Sequence, residues 1–403
     1  MPFTTGDLDE ALAAVDRDRI RVLIVGAGIA GASAAALLRR QGLHAAVVER
    51  ADAHARAGYM LALMPLVDPA IAELGLRDRY LAASVGLDRY RAIGRRGRPL
   101  REYAMADLMG RYGDYRGIDR AALLDLLGDG PVAYATTVTA LRQTASCVQV
   151  TLRGGDGQVR ETEFDLVIAA DGLHSATRDL LLPPSQVTGF DSGWGGWVAW
   201  TDADADMDLG EELWGAGFFA GTYPVRGMTG VFVGGDRRDT EAGPARFATV
   251  IRGQVPRLDD RMRAALAAIS TQRAYFWPLF DRRAASWAIG RVVLLGDAAA
   301  GFLPTAGIGA GMAIESAHVL CSCLRHATID RVPDLLAGYE RAQKPRVLAA
   351  QNNSRTLARL MFSRSRSLAA VRDTVSRHVS LTTALRPITR LLRTQPATSP
   401  AAR

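Results

Sequence analysis

An unbroken apolar run, Arg21–Val25 (RVLIV), passes straight into Gly26-Ala-Gly28-Ile-Ala-Gly31. An Ala- and Leu-rich stretch follows and stops at Gly42. No other feature limits the possible folds so tightly. A short β-branched run bounded by glycines reads as a strand buried on both faces, and the stretch after it reads as a helix. Ala45–Glu49 (AAVVE) supplies a second short strand, which completes a βαβ unit. In this setting each glycine of G-x-G-x-x-G has a task. Gly26 permits the tight turn, Gly28 lets a pyrophosphate approach the backbone, and Gly31 lets helix and strand pack closely. The helix N-terminus faces the negative phosphates. Glu49 ends the second strand 18 residues past Gly31 and is placed to accept hydrogen bonds from a ribose diol. The unit implies a dinucleotide and does not by itself separate FAD from NAD.

Two later strands lead into glycine-containing carboxylate motifs. Phe164–Ala170 runs into Asp171-Gly172-Leu-His174-Ser175-Ala-Thr-Arg178. Arg291–Leu295 runs into Gly296-Asp297-Ala-Ala-Ala300, then Pro304-Thr-Ala-Gly307-Ile308-Gly309-Ala310-Gly311, and then a helix. A carboxylate at a strand end beside glycine can bind a polyol chain. A glycine-rich entry to a helix points unpaired N–H groups at developing negative charge. Residues 186–285 differ in character: Trp194, Trp197, Trp200, Trp214, Phe218, Phe219 and Tyr223 crowd into a glycine-punctuated stretch that reads as a mostly antiparallel sheet. Val85–Arg98, with Gly94 and Gly97, reads as a hairpin. Residues 1–19 read as a polar, partly helical extension, and the chain after Leu295 as helical, broken near Pro333, Pro345 and Pro387.

Together these three motifs resemble the single-component FAD-dependent aromatic monooxygenases, the para-hydroxybenzoate hydroxylase-like flavoproteins. The order and approximate spacing match over residues 20–350. Trp287–Asp297 is similar to the family's lead-in to its last motif, and Gly117–Leu123 to its helix with an FAD-contacting arginine. The resemblance implies an α/β fold: a Rossmann-like FAD-binding domain with an interleaved antiparallel-sheet substrate domain and C-terminal helices. It implies FAD-binding segments at 20–84, 105–185 and 286–350, substrate-domain segments at 85–104 and 186–285, and a basic helical region at 351–403. Gly26, Gly28 and Gly31 would hold the pyrophosphate, with Glu49 and its neighbour Arg50 at the adenosine ribose. Arg120 and Arg56 would contact the phosphate or ribityl region, and Asp171 belongs to a motif shared by FAD and nicotinamide nucleotide. Gly296 and Asp297 would hold the ribityl or pyrophosphate part, and Pro304 would lie near the reactive flavin edge. Backbone N–H groups of Gly307, Ile308, Gly309 and Ala310 would stabilise charge on the flavin. No catalytic side chain is named; the flavin-edge candidates are Pro304, Gly307 and Gly309. Trp197, Trp214, Phe219 and Tyr223 are the candidate walls of a flat, apolar substrate pocket, although at least half of the rings in that stretch belong to a sheet core.

The implied activity is hydroxylation of an aromatic or polyketide-like small molecule with NADH or NADPH and O2, through a C4a-hydroperoxyflavin. The family usually carries His at Ala300, Asn at or near Gly311 and Asp at Ser316; here Glu315 alone is retained beside the last. That pattern leaves open a flavin-dependent reductase of isoprenoid or polyene double bonds, and a non-redox FAD-containing cyclase or binding protein. A flavin halogenase would need a tunnel lysine, whereas the sole lysine, Lys344, lies late in the chain.

Charge and cysteine usage exclude other classes. The net charge is +7 over 403 residues, but ten arginines against one acid fall after residue 354, so the rest is near neutral. That is not the footprint of a nucleic-acid domain. The basic tail mixes Arg with Leu, Met, Phe and Val; such a helix more often packs its apolar side on its own domain and solvates its arginines, with a homodimer contact or weak peripheral membrane contact as the alternatives. Cys147, Cys321 and Cys323 suit no common zinc site and read as free thiols, so no metal is expected. The acidic N-terminus does not read as a signal peptide, and a cytoplasmic location is expected.

Overall fold

The Val22–Val25 strand lies in a five-stranded sheet, between the central Leu166–Ala169 strand and the edge strand Ala46–Val48. The computed structural model describes residues 4–6, 8–53, 58–128, 130–271, 274–394 and 396. Within them the sheet order is Ala288–Ile289, Val292–Leu294, Leu166–Ala169, Val22–Val25, Ala46–Val48. The first pair is antiparallel and the remaining pairs are parallel. The Val22–Val25, Leu166–Ala169 and Val292–Leu294 strands are buried along their whole length. They are covered on both sides, which is why they read as continuous apolar runs rather than alternating ones. The Ile29–Arg40 and Gly309–Leu324 helices pack together on one side.

The second sheet has seven strands, in the order Tyr275–Ala284, Val187–Asp202, Met228–Asp236, Phe218–Val225, Leu209–Trp214, Arg89–Gly94, Pro99–Ala104. All pairs are antiparallel except Leu209–Trp214 with Arg89–Gly94. The hairpin joining the last two strands turns at Gly97, whose φ is +73°. A Cβ there would meet the Arg257 carbonyl oxygen at 1.5 Å, so only glycine fits.

Side chains alternate across this sheet, giving it two chemically different faces. On the back face Leu213, Phe218, Val231 and Val233 pack against the Pro244–Gln254 and Asp260–Thr271 helices through Phe247, Ile251, Leu266 and Ile269. On the front face Trp194, Phe219 and Leu279 pack against Leu303, Ala358 and Met361. Leu303 belongs to the loop after Asp297, so the front face looks toward the dinucleotide-binding domain.

Two expectations about helices need correction. The Val332–Met361 helix runs through Pro345 without a break. A mid-helix proline costs about 3 kcal/mol. Packing offsets that cost: Val347 and Ala350 are buried just beyond it, and Arg346 pairs with buried Glu315 at 2.7 Å. Nor is the N-terminus a mere extension, because the Leu8–Val15 helix buries Ala11 and Val15 in one cluster with Val25 and Val48. Parts of the basic tail are tied to the body of the protein. Arg355 forms a two-bond pair with buried Asp281, at 2.7 Å each, and Arg372 donates to the Trp214 and Gly215 carbonyls. Among the described residues no helix is long and apolar enough to cross a membrane.

Candidate functional site

The first glycine turn has three environments, one per glycine. Gly26 has φ +103°, and a Cβ there would lie 2.5 Å from the Ala170 carbonyl oxygen. Gly31 is held as tightly, since its Cβ would lie 1.9 Å from the Gly26 oxygen. Gly28 differs: an added Cβ would meet nothing within 4 Å. It is the N-cap of the Ile29–Arg40 helix, in extended conformation, with no side chain capping the helix. The helix therefore presents uncapped N–H groups to an open cradle, as a bound phosphate requires. Glu49 is fixed beside this turn, one oxygen accepting from the Ala27 N–H and the other from the Ala51 N–H, both at 2.9 Å. Arg50 next to it is exposed. Arg56 lies outside the described residues.

The three motifs meet at this turn. Asp171 accepts from the Ser175 hydroxyl at 2.5 Å and the Thr177 N–H at 3.0 Å, bracing its own loop. Arg178, fully buried, donates to the Leu173 and Ala298 carbonyls and so ties this loop to the Gly296-Asp297 segment. Gly296, with φ +61°, packs against the start of the Ile29–Arg40 helix, where its Cβ would meet Ala30 Cβ at 2.7 Å. The Asp297 carboxyl opens into the cleft but deep within the protein, and burial pushes its pKa up to about 6. Beyond it, Gly307 is left-handed with φ +59° and donates to the Pro304 carbonyl. The Gly309–Leu324 helix then starts without a capping side chain, which leaves the Ile308, Gly309 and Ala310 N–H groups at its positive end. The Pro304 loop is pinned from outside: Thr305 donates to the Ser354 carbonyl at 2.8 Å, and Gln351 donates to the Gly301 and Arg282 carbonyls.

This donor set fits FAD: an uncapped helix start with an open cradle, a fixed carboxylate for a ribose, a deep carboxylate for a polyol, and a second uncapped helix start. Comparison with known proteins agrees. A family model described as FAD binding domain matches residues 19–354. The chain belongs to the FAD-dependent aromatic monooxygenases. It is 31% identical over 357 residues to a 3-amino-4-hydroxybenzoate 2-monooxygenase of Streptomyces platensis, covering 85% of this chain and 88% of that one. It is 27% identical over 361 residues to a 6-hydroxynicotinate 3-monooxygenase of Pseudomonas fluorescens, covering 83% and 90%. The fold resembles that of Klebsiella pneumoniae HpxO in complex with FAD and uric acid, at a TM-score of 0.79 and 24% identity over 95% of this chain and 98% of that one. The chain is thus an FAD-dependent monooxygenase, with FAD as cofactor and NAD(P)H the reductant typical of its relatives.

Within this monooxygenase fold the substrate-sheet candidates divide by face. Trp214, Phe219 and Tyr223 share the front face. Trp197 does not: it is three residues from front-facing Trp194, so the strand turns it to the back. There its indole N–H donates to the Thr240 carbonyl at 3.0 Å and its ring lies 4.9 Å from Phe276. Arg120 stacks over Tyr59, 5.6 Å from the ring centre, and Asp119 caps the helix that Arg120 opens. Tyr59 was not singled out by sequence. It lies between Arg120 and Asp297, its ring 5.1 Å from Trp277 of the front face, and burial raises its phenol. Glu212 was missed as well. It sits on the front face beside Trp214, and three side chains donate to it. Strand alternation in Leu209–Trp214 could have exposed it, since one of the adjacent acids Glu211 and Glu212 must face the rings.

The departures from the family pattern converge. Ala300 and Ser316 line one small cavity with Trp287, Met312 and Tyr339, and the Trp287 indole N–H there has no hydrogen-bond partner. Gly311 is packed against Leu66, whose Cδ1 would lie 3.0 Å from an added Cβ, so an asparagine needs Leu66 to move. Retained Glu315 is structural, holding Gln343 and Arg346 of the neighbouring helix. His174 is exposed and edge-on to Phe280. Lys344 bonds Glu340 and the Ala285 carbonyl, away from the cleft residues.

Proposed function

We propose that this monooxygenase hydroxylates an aromatic or polyketide-like small molecule, drawing electrons from NADH or NADPH and oxygen from O2. The observation that carries this reading is the front face: Trp214, Phe219, Phe232 and Trp277 share a cluster with Leu303, one residue before Pro304. A wall of rings against the loop of a flavin edge suits a flat, electron-rich substrate. Bound FAD supplies reduction by nicotinamide and activation of oxygen. The chain's own residues do the rest. Gly26, Gly28, Gly31 and Glu49 hold the adenosine diphosphate half, and Gly296 and Asp297 the ribityl chain, with Arg120, Arg50 and Asp171 around them. The helix start at Ile308–Ala310 stabilises negative charge on the cofactor, because its N–H groups are already oriented. Thr305 and Gln351 keep the Pro304 loop in register with the substrate sheet. Segments 20–84, 105–185 and 286–350 thus serve the cofactor, and 85–104 with 186–285 the substrate. The named substrates of the relatives are small ring compounds, which supports this class.

The test is NAD(P)H and oxygen consumption by the FAD-loaded protein across a panel of hydroxy- and amino-substituted arenes. Ligand-accelerated consumption with a product heavier by one oxygen is expected. Consumption that no arene accelerates overturns the reading.

The C-terminal region supports a second, separate reading. Leu368, Val371 and Val375 form an exposed stripe at helical spacing on the Arg366–His378 helix, 62%, 60% and 52% exposed. With the arginines around it, this stripe suits weak contact with anionic lipid. Co-sedimentation with anionic vesicles that is abolished by Val371→Asp supports it; a change of oligomeric state instead points to a homodimer contact. The three thiols, unpaired in the fold, suit a reducing compartment such as the cytoplasm.

A further inference from the structure

The front face holds one carboxylate whose chemistry is not that of a sheet core. Glu212 accepts from the Tyr90 hydroxyl at 2.6 Å and the Trp214 indole N–H at 2.8 Å on one oxygen, and from the Tyr223 hydroxyl on the other. Among the described residues no basic side chain pairs with it. The contrast with its neighbour is sharp: Glu211, on the back face, is fully buried and paired with Arg91 at 2.9 Å. The arginines near this sheet are engaged elsewhere: Arg89 and Arg91 with Asp206, Asp208, Glu102 and Glu211, and Arg372, stacked 5.6 Å over the Trp214 ring, with the Trp214 and Gly215 carbonyls and Asp373.

All three donors to Glu212 are neutral. Burial raises the Tyr90 and Tyr223 phenols well above their usual value, and the Glu212 charge raises them further, so both stay protonated and donating. Tyr115 is raised for the same two reasons. The cage stabilises the carboxylate without cancelling its charge. A carboxylate offers about four acceptor sites, and three are filled here. Glu212, Tyr90, Trp214 and Tyr223 each keep exposed surface although they lie deep in the sheet. Glu212 shares its sheet face with Trp214, which packs in the same cluster as Leu303, so the carboxylate lies on the face that looks toward the Leu303 loop.

We propose that Glu212 is the specificity-determining residue of the pocket, taking an N–H or O–H donor on the aromatic substrate and rejecting an arene that carries a carboxylate at that position. The assignment rests on the aromatic-hydroxylase reading above. An acceptor-only group rewards an amino or hydroxyl donor and repels a second anion. Like charges at hydrogen-bonding distance in a partly buried site weaken binding by about a hundredfold or more.

The experiment uses FAD-loaded protein and three matched probes, each with a single polar group: aniline, N,N-dimethylaniline and benzoate. Dissociation constants are read from the perturbed flavin spectrum and from quenching of tryptophan fluorescence. Wild-type protein is expected to bind aniline about a hundredfold tighter than benzoate, and about tenfold tighter than N,N-dimethylaniline, which has no donor. In Glu212→Gln the preference over benzoate is expected to fall to within about threefold. Because the wild-type comparison needs no variant, a misfolded Glu212→Gln does not remove the test. Equal binding of the three probes to wild type, or an unchanged preference in Glu212→Gln, overturns the assignment and leaves the hydroxylase reading intact. Absence of any response to any arene overturns both.

Discussion

Replacing Gly28 with aspartate separates cofactor binding from folding more cleanly than any other change in the phosphate-binding turn. An added Cβ at this position meets nothing within 4 Å, and the backbone is extended, with φ −72°. Position 28 is the N-cap of the Ile29–Arg40 helix, where aspartate is favoured over glycine by a few tenths of a kcal/mol. The apoprotein of Gly28→Asp is therefore expected to melt at the wild-type temperature or slightly above it. FAD binding moves in the opposite direction. A carboxylate about 5 Å from a pyrophosphate charge, at an effective dielectric constant of about 20, costs about 3 kcal/mol, or roughly a hundredfold in affinity. It also competes for the helix N–H groups that the phosphate needs. Gly31→Ala is the contrasting control, because its Cβ would lie 1.9 Å from the Gly26 oxygen. Overpacking of that kind costs about 1–3 kcal/mol or more, so this variant loses stability first and FAD with it. Melting curves of apoprotein and FAD titration by fluorescence quenching read both quantities. A Gly28→Asp protein that binds FAD as tightly as wild type, or whose apoprotein is destabilised like Gly31→Ala, refutes the assignment of the turn.

Asp297 gives a pH-dependent test. Its pKa is raised to about 6 from the ordinary 3.8, so the folded apoprotein retains a proton that the unfolded chain releases. The stability from that proton is full below about pH 4 and is lost as pH rises through 6. Asp297→Asn removes this dependence: its apoprotein is expected to melt above wild type at pH 8 and level with it at pH 4, by calorimetry. Gln351→Ala removes two hydrogen bonds to the Gly301 and Arg282 carbonyls and one from Arg283. It is expected to loosen the flavin-edge loop and divert NAD(P)H electrons to hydrogen peroxide, measured as a several-fold rise in peroxide per NAD(P)H consumed. The two sheet faces predict opposite phenotypes for two tryptophans. Trp197→Phe is expected to cost about 1–2 kcal/mol of stability through the lost bond to the Thr240 carbonyl while leaving arene affinity within twofold. Trp214→Phe is expected to weaken arene binding by about tenfold; denaturant melts and ligand titrations check the pair.

The cofactor half was legible in the sequence because its chemistry is local. Each glycine of the first motif, the Asp171 loop and the Gly296–Ala310 segment acts through its own backbone conformation, and backbone conformation is written in neighbouring residues. The substrate half was less so, because a strand's face depends on a register set by distant partners. Trp197 and Trp214 look alike in the chain, yet pairing with residues more than thirty positions away puts them on opposite sides. Glu212 gains its meaning only when Tyr90, more than a hundred residues earlier, is brought beside it by the parallel pairing of Leu209–Trp214 with Arg89–Gly94. The uninterrupted helix through Pro345 has the same origin. Its local propensity says break, and the buried Glu315–Arg346 pair with the packing around it says continue.

Oxygen transfer is the centre of the account, and isotope labelling tests it most directly. FAD-loaded protein, NAD(P)H and the arene that most accelerates oxygen uptake are combined under 18O2, and the product is examined by mass spectrometry. One 18O atom in each hydroxylated product molecule is the predicted result. Label drawn from water, or a product that is reduced or rearranged with no oxygen gained, would contradict it.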